Sequence, residues 1–281
     1  MDTIYSVIEM LPFEWTEFNF MKNALLAIIL ITPLFGLLGT MVVNNKMSFF
    51  SDALGHSALT GIAIGVLFGM NNYILSMMAF AIIFALTISF IIDSEISSSD
   101  TIIGVFSSIG IALGIVLLSY NGGFSKYSSY LVGDILSIRP NEIRLLFIIL
   151  LIVIAIWVIA FNKLILSSLN TTLARSKQCS VKFYKNLFMI LIAVVVTVSI
   201  KWVGILIINS LLILPAASSR NISNNIRAYH MYSILFALFS GISGLFISFY
   251  TGTSAGATIV LISAVIFFIT FFINQIKRRV N

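Results

Sequence analysis

Six nearly uncharged apolar runs, at residues 20–43, 73–92, 101–119, 143–161, 228–249 and 255–274, constrain this chain more than any other feature. Each is about as long as the 20 or so residues a helix needs to cross a bilayer. In lipid the backbone must satisfy its own polar groups, so such runs fold as helices. Charged residues make up 9% of the 281 residues, against about a quarter in a soluble domain. With 59% hydrophobic residues and mean hydropathy +1.09, a water-soluble domain is excluded. The expected fold is one all-α, polytopic membrane domain over residues 1–281, with eight or nine spanning helices.

The polar intervals set the topology. Residues 1–19 carry Asp2, Glu9, Glu14 and Glu17, broken by Pro12. They read as a short acidic surface segment with Phe13, Trp15 and Phe18 at the headgroups rather than as a cleavable leader. Residues 162–186 hold Lys163, Arg175, Lys177, Lys182 and Lys185 and no acid, which marks the cytoplasmic side. The net charge of +6 follows from such loops and signals no nucleic-acid partner. Tight turns are expected at Asn71–Asn72 and Asn121–Gly123, and residues 131–138 are too short and polar to cross. Residues 187–217, interrupted by Lys201, Trp202 and Gly204, read as two short crossings, 187–200 and 203–217, with Lys201 at the outer turn. That choice leaves both basic loops on one side, gives nine crossings and places the N-terminus outside. Eight crossings follow if residues 53–70 or 187–217 are not full passages.

Two stretches carry candidate chemistry. The first is MSFFSDALGHSALTGIAIGVLFG, residues 47–69. Asp52 and His56 stand i, i+4, on one helix face. Gly61, Gly65 and Gly69 follow as a small-residue ridge that admits a close helix neighbour. Carboxylate oxygen and imidazole nitrogen suit a divalent transition metal, and ionisable groups inside a membrane mark ion pathways. The alternative is a structural pair, with Asp52 also capping the helix. Two donors do not close a metal shell, which for zinc takes about four. An imidazole must be neutral to ligate, so acidification is expected to lower any transport that uses His56.

The second stretch is LLILPAASSRNISNNIR, residues 211–227. An apolar run ends at Pro215; Ala216 and Ala217 follow, then Ser218 and Ser219 as helix caps, then Arg220 and Arg227. It reads as a short cytoplasmic helix at 218–228, either pressed against a partner protein or an ordinary basic loop. Asp100, Asp134 and His230 read as loop or interface residues, and the single Cys179 as an incidental loop thiol. No G-x-x-x-x-G-K-[ST], H-E-x-x-H, C-x-x-C or G-x-S-x-G occurs, so the chain offers no phosphate loop of its own and no enzyme motif.

Taken together these stretches resemble the membrane permease subunits of the bacterial ABC importers for manganese, zinc and iron. SFFSDALGHSALTGIAIG is similar to that family's Gly-Asp-x-x-x-His-x-x-x-x-Gly signature, and VGILIINSLLILPAAS to its Pro-Ala-Ala segment. SDTIIGVFSSIGIALG, YLVGDILS and SAGATIVLISAVIF match in the same order, so the resemblance runs from about residue 20 to about residue 270. Ser51 stands where Gly commonly precedes the Asp, Thr60 where Pro or Leu is common, and Ser218 where Thr is common.

The resemblance implies a type II importer-like permease in the bacterial cell membrane. It would work as a homodimer with two cytoplasmic ATP-binding subunits and an extracellular metal-binding solute-binding protein. Asp52 and His56 would lie on the path of Mn²⁺, Zn²⁺ or Fe²⁺. The metal would be cargo, and the chain would hold no cofactor. Pro215, Ala216, Ala217, Ser218, Ser219, Arg220 and Arg227 would belong to the segment that couples to the ATPase. Two other readings remain open at this point: an ion-coupled secondary metal transporter, and an importer of a chelated metal such as haem or a siderophore.

Overall fold

The computed structural model describes residues 2–280 except residues 11, 71, 95–96, 121–126 and 128. The turns expected at Asn71 and at Asn121–Gly123 therefore lie outside the described residues. The described chain is helical almost throughout: α1 (Asp2–Glu9), α2 (Asn19–Asn44), α3 (Phe50–Leu67), α4 (Tyr73–Ile92), α5 (Ser99–Tyr120), α6 (Ser129–Val132), α7 (Pro140–Leu169), α8 (Thr171–Ser176), α9 (Val181–Val203), α10 (Ile205–Ile222), α11 (Ile226–Thr251) and α12 (Ala255–Val280). Short 3₁₀ turns sit at Glu14–Glu17 and Ile135–Ser137. Among the described residues, eight helices are long and apolar enough to cross a membrane: α2, α3, α4, α5, α7, α9, α11 and α12. α10 is a further helix of 18 residues, with Pro215 in its interior and a polar C-terminal end.

The expected split of residues 187–217 is present, with different boundaries. α9 continues through Lys201 and Trp202 to Val203, and α10 begins at Ile205. The break is one residue, Gly204, with φ of +88°. A side chain there would be strained by its backbone angle, and a Cβ would collide with the Val132 carbonyl. Gly133, φ +71°, lies against it from the other side. The short segment after α5 thus seats directly on the α9–α10 break.

Small residues decide how close the helices come. In lipid, apolar contact between helices gives little driving force, so packing and hydrogen bonds set the arrangement. A Cβ on Gly61 would stand 2.6 Å from the Met77 Cα of α4, and one on Gly114 of α5 would stand 2.8 Å from the Thr60 nitrogen of α3. Thr60 Oγ1 donates to the Gly110 carbonyl at 2.6 Å, closing the same seam. Gly69 is not part of this ridge: it has φ +65°, a Cβ there would meet nothing within 4 Å, and it follows the end of α3.

The N-terminal segment is held more firmly than a headgroup-lying strand. Trp15 is buried, with its ring 4.8 Å from that of Phe246 in α11, while Phe13 and Phe18 are exposed as expected. Lys22, buried in the first turn of α2, pairs with Glu9 of α1. Buried Lys residues need such a partner. On the same end of the molecule, Asn23 Nδ2 donates to the Ile138 carbonyl at 3.2 Å. Tyr127 donates to the Tyr73 hydroxyl at 3.2 Å. That hydrogen bond, with burial, pushes the Tyr127 phenol up to about 12, so it remains a neutral donor.

Candidate functional site

α3 packs against four helices, α4, α5, α9 and α10. α4 lies along Gly61 and Gly65, α5 lies along Ser57 and Thr60, and α10 lies across its first turns. At that last seam Ser51 Oγ donates to Asn209 Oδ1 at 2.6 Å, and Gly55 leaves room for Ile205, where a Cβ would meet Cγ2 at 2.8 Å. Asp52 and His56, in the first two turns of α3, are left partly exposed by these neighbours. Their side chains are 31% and 16% exposed, whereas Ser51, Ala53, Leu54, Gly55 and Ser57 around them are buried.

Helix α3 begins at Phe50, with Phe49 as its N-cap and no side-chain cap bond. Asp52 is therefore inside the first turn and caps nothing, contrary to one of the two expectations for it. In that turn a carboxylate is favoured by the helix dipole without being consumed by the backbone. His56 Nε2 lies 3.4 Å from Asp52 Oδ2, and His56 Nδ1 is buried without a partner. Among the described residues no hydrogen bond to the Asp52 carboxylate accompanies that single approach. The pair is an oxygen and a nitrogen donor, close together and partly exposed, with unfilled bonding capacity. No group of three or more His, Cys, Asp or Glu residues capable of holding a metal occurs among the described residues. One chain thus offers two donors and not a closed shell.

Sequence reasoning missed Asn209. It stands in an apolar run, and the signal was there: the Asn-Ser dipeptide at 209–210 is the only polar interruption between Gly204 and Pro215. Through Asn209 the Asp/His turn is tied to the fifth residue of α10, next to the Gly204 break.

The second candidate stretch has a shape other than the expected one. Residues 218–222 are the final turn of α10, residues 223–225 link, and Ile226 opens α11, whose cap is Asn225 Oδ1 accepting from Ala228 N at 2.8 Å. There is no free-standing helix at 218–228; the segment is a corner. Pro215 lacks the N–H that would bond the Leu211 carbonyl, yet the helix continues through it to Ile222, with Ser218 Oγ donating to the Leu214 carbonyl at 2.7 Å. Ser218 and Ser219 are thus interior residues and not caps. Ser219 Oγ donates to the Tyr229 carbonyl at 2.6 Å, which fixes the corner angle. Arg220 reaches Asn44 Oδ1 at 3.2 Å and Asn221 reaches Thr270 Oγ1 at 3.3 Å. Ala216 is buried and Ala217 half-buried, while Arg220 and Arg227 are exposed. The corner is bound to the end of α2 and to Thr270 within α12, and presents two arginines outward.

Of the three residues read as loop or interface, two change. Asp100 lies in the first turn of α5. His230 is not a loop residue: it is buried in the second turn of α11, with ring contacts to Trp157, Phe161 and Tyr229. Asp134 is in a loop as expected and accepts from Leu136 N at 3.0 Å.

Comparison with known proteins shows the lineage of this arrangement. The model of the ABC 3 transport family matches residues 17–274. The chain belongs to the ABC 3 transport family. Among its relatives, the manganese import system permease protein ScaB of Streptococcus gordonii is 31% identical over 269 residues, covering 94% of this chain and 96% of that one. The high-affinity zinc uptake system membrane protein ZnuB of Haemophilus influenzae is 31% identical over 255 residues, covering 91% and 98%. A solved structure, PsaBC from Streptococcus pneumoniae in complex with Fab, superposes with a TM-score of 0.80 at 28% identity, covering 97% of this chain and 96% of that chain. As an ABC 3 family member the chain is a multi-pass cell-membrane permease, a transport component and not an enzyme.

Proposed function

We propose that this permease carries a divalent transition-metal ion, manganese or zinc, into the cell at the expense of ATP hydrolysed on separate subunits. The observation that carries the reading is the partly exposed Asp52–His56 pair: two metal-type donors with spare bonding capacity in the first two turns of a closely packed helix. The relatives named for manganese and for zinc support the cargo class, and either ion accepts oxygen and nitrogen donors.

In the proposed cycle an extracellular solute-binding protein releases the ion to the outer mouth. The Asp52 carboxylate and neutral His56 imidazole replace part of its water shell. Two donors hold an ion weakly enough to release it. Two copies of the chain, paired so that the first two turns of α3 meet, would supply four donors, the number a tetrahedral zinc site uses. Occlusion and release then become one event, because separating the copies halves the shell.

The corner from Pro215 through Ala216, Ala217, Ser218, Ser219 and Arg220 to Arg227 is the proposed seat for the cytoplasmic ATP-binding subunit. Its rigidity supports the role. A force applied at Arg220 and Arg227 passes along α10, whose other end carries Asn209 against Ser51. ATP-driven closure of the ATPase pair would in this way tilt α10 and move the neighbour of the Asp/His turn.

The test is the elemental content of cells carrying the native chain or His56→Ala at matched membrane abundance. A single metal falling in the variant to the level of a deletion strain identifies the ion and places His56 on its path. Unchanged content of every metal sinks the site. Uptake that survives loss of the ATPase subunit sinks the ATP-driven reading.

A further inference from the structure

α2 and α7 run in the same direction, with their N-terminal ends on the face opposite the basic loop at 162–186. Between their first halves lies a cleft of about 620 Å³, within the size range of small-molecule sites. Leu26, Ile29 and Leu30 form one wall, and Phe147 and Ile148 the other. Ile29, Phe147 and Ile148 are exposed, so the cleft opens sideways, where the bilayer must lie against two spanning helices.

One charged residue lines this apolar cleft, Arg144. It is exposed and makes no ion pair or hydrogen bond among the described residues. The nearest acid in sequence, Glu142, is already used by Lys201 and Trp202. Residues two apart on a helix do not face each other, so Glu142 cannot serve both. Arg144 is four residues past Pro140, about 6 Å along the axis from the start of α7. Ile148 and Ile29 lie deeper.

From this juxtaposition we propose that the α2–α7 cleft is a binding site for an anionic phospholipid of the outer leaflet. The headgroup phosphate pairs with the planar Arg144 guanidinium, and one acyl chain lies along Ile29, Leu30 and Ile148. A planar guanidinium matches phosphate geometry with paired hydrogen bonds. The cleft supplies an apolar wall that an arginine merely reaching for the surface would not need.

Native mass spectrometry tests this on the purified full-length permease after exchange into mixed micelles of phosphatidylglycerol and phosphatidylcholine at equal concentration. The native chain is expected to retain about one phosphatidylglycerol per chain, enriched at least fivefold over phosphatidylcholine. Arg144→Gln should lose that enrichment. Arg139→Gln, an exposed arginine outside the cleft, should keep it, and Arg144→Lys should keep part of it. Ile148→Trp, which fills the cleft, should lose the bound lipid of either kind. Equal retention in Arg144→Gln and Arg139→Gln overturns the proposal, as does full retention in Ile148→Trp. Dissociation of a dimer by Ile148→Trp without change in bound lipid also overturns it, since the cleft would then seat a second copy of the chain.

Discussion

Two carboxylates sit in spanning helices of this molecule beside a basic partner, and they are treated in opposite ways. Glu142, in the first turn of α7, is saturated. It accepts from Lys201 Nζ, from Trp202 Nε1 at 3.2 Å and from the Arg139 backbone nitrogen at 2.9 Å. Asp52, in the first turn of α3, has one neighbour, His56 at 3.4 Å, whose other ring nitrogen is buried and unpartnered. A satisfied buried polar cluster fixes structure, and an unsatisfied one has a reason to exist. Glu142 binds the start of α7 to the end of α9. On the proposed function, Asp52 is the carboxylate that would meet the ion.

The largest effect that would sharpen this contrast is on transport. Asp52→Asn keeps the shape and one acceptor oxygen but removes the charge. Metal uptake should fall about 100-fold or more, since even losing a group that only supports a metal ligand costs 10–100-fold. Folding should be unaffected within about 0.5 kcal/mol, because the side chain has little to lose. Uptake in membrane vesicles, with thermal unfolding in detergent as the companion measurement, gives both numbers. A variant that melts early and transports normally would reverse the roles assigned to the two carboxylates.

Glu142→Ala should do the opposite. It strands Lys201 and the Trp202 N–H in a partly buried place. The expected loss is about 2 kcal/mol, lower than for a fully buried pair because Lys201 is 36% exposed and partly screened. Transport per folded molecule should remain within about twofold of native. The double change Glu142→Leu with Lys201→Met should recover most of the lost stability, as replacing both partners of a pair often does. Failure of the double variant to recover would mean that the cluster has a role besides holding α7 to α9.

These opposite treatments were only half legible in the sequence. The apolar runs define which residues are helix, because the bilayer leaves the backbone no other choice. The i, i+4 spacing of Asp52 and His56 needs no tertiary information either. What the other side of a helix touches is different: it depends on backbone approach at Gly61, Gly114 and Gly204, where a Cβ would collide with particular atoms of distant segments. Glu142 and Lys201 are 59 residues apart, and nothing local links them. The corner after Pro215 misled for a related reason. Proline and a polar run normally mark a helix end, but Ser218 bonds back to Leu214 and Ser219 reaches across to Tyr229, and α10 continues to Ile222. Trp15 looked amphipathic in isolation and is instead buried against Phe246.

The smallest effect probes the bond that joins the two regimes, Ser51 to Asn209. It is a satisfied, structural contact one residue from Asp52, whose carboxylate is approached by His56 alone. Interhelical hydrogen bonds of this kind in membranes contribute about 0.6 kcal/mol on average, so Ser51→Ala should lower stability by roughly that amount. If the bond is only glue, uptake follows the small loss of folded protein and nothing more. If α10 passes movement from the Arg220 end to the Asp/His turn through this contact, Ser51→Ala should weaken the link between ATP hydrolysis and uptake. The readout is metal moved per ATP hydrolysed in reconstituted vesicles. It should fall by about twofold or more while ATPase rate and metal binding at Asp52–His56 stay native. An unchanged ratio would leave the two helix ends mechanically independent, and the movement of α10 would then have to reach α3 through the Gly55–Ile205 contact instead.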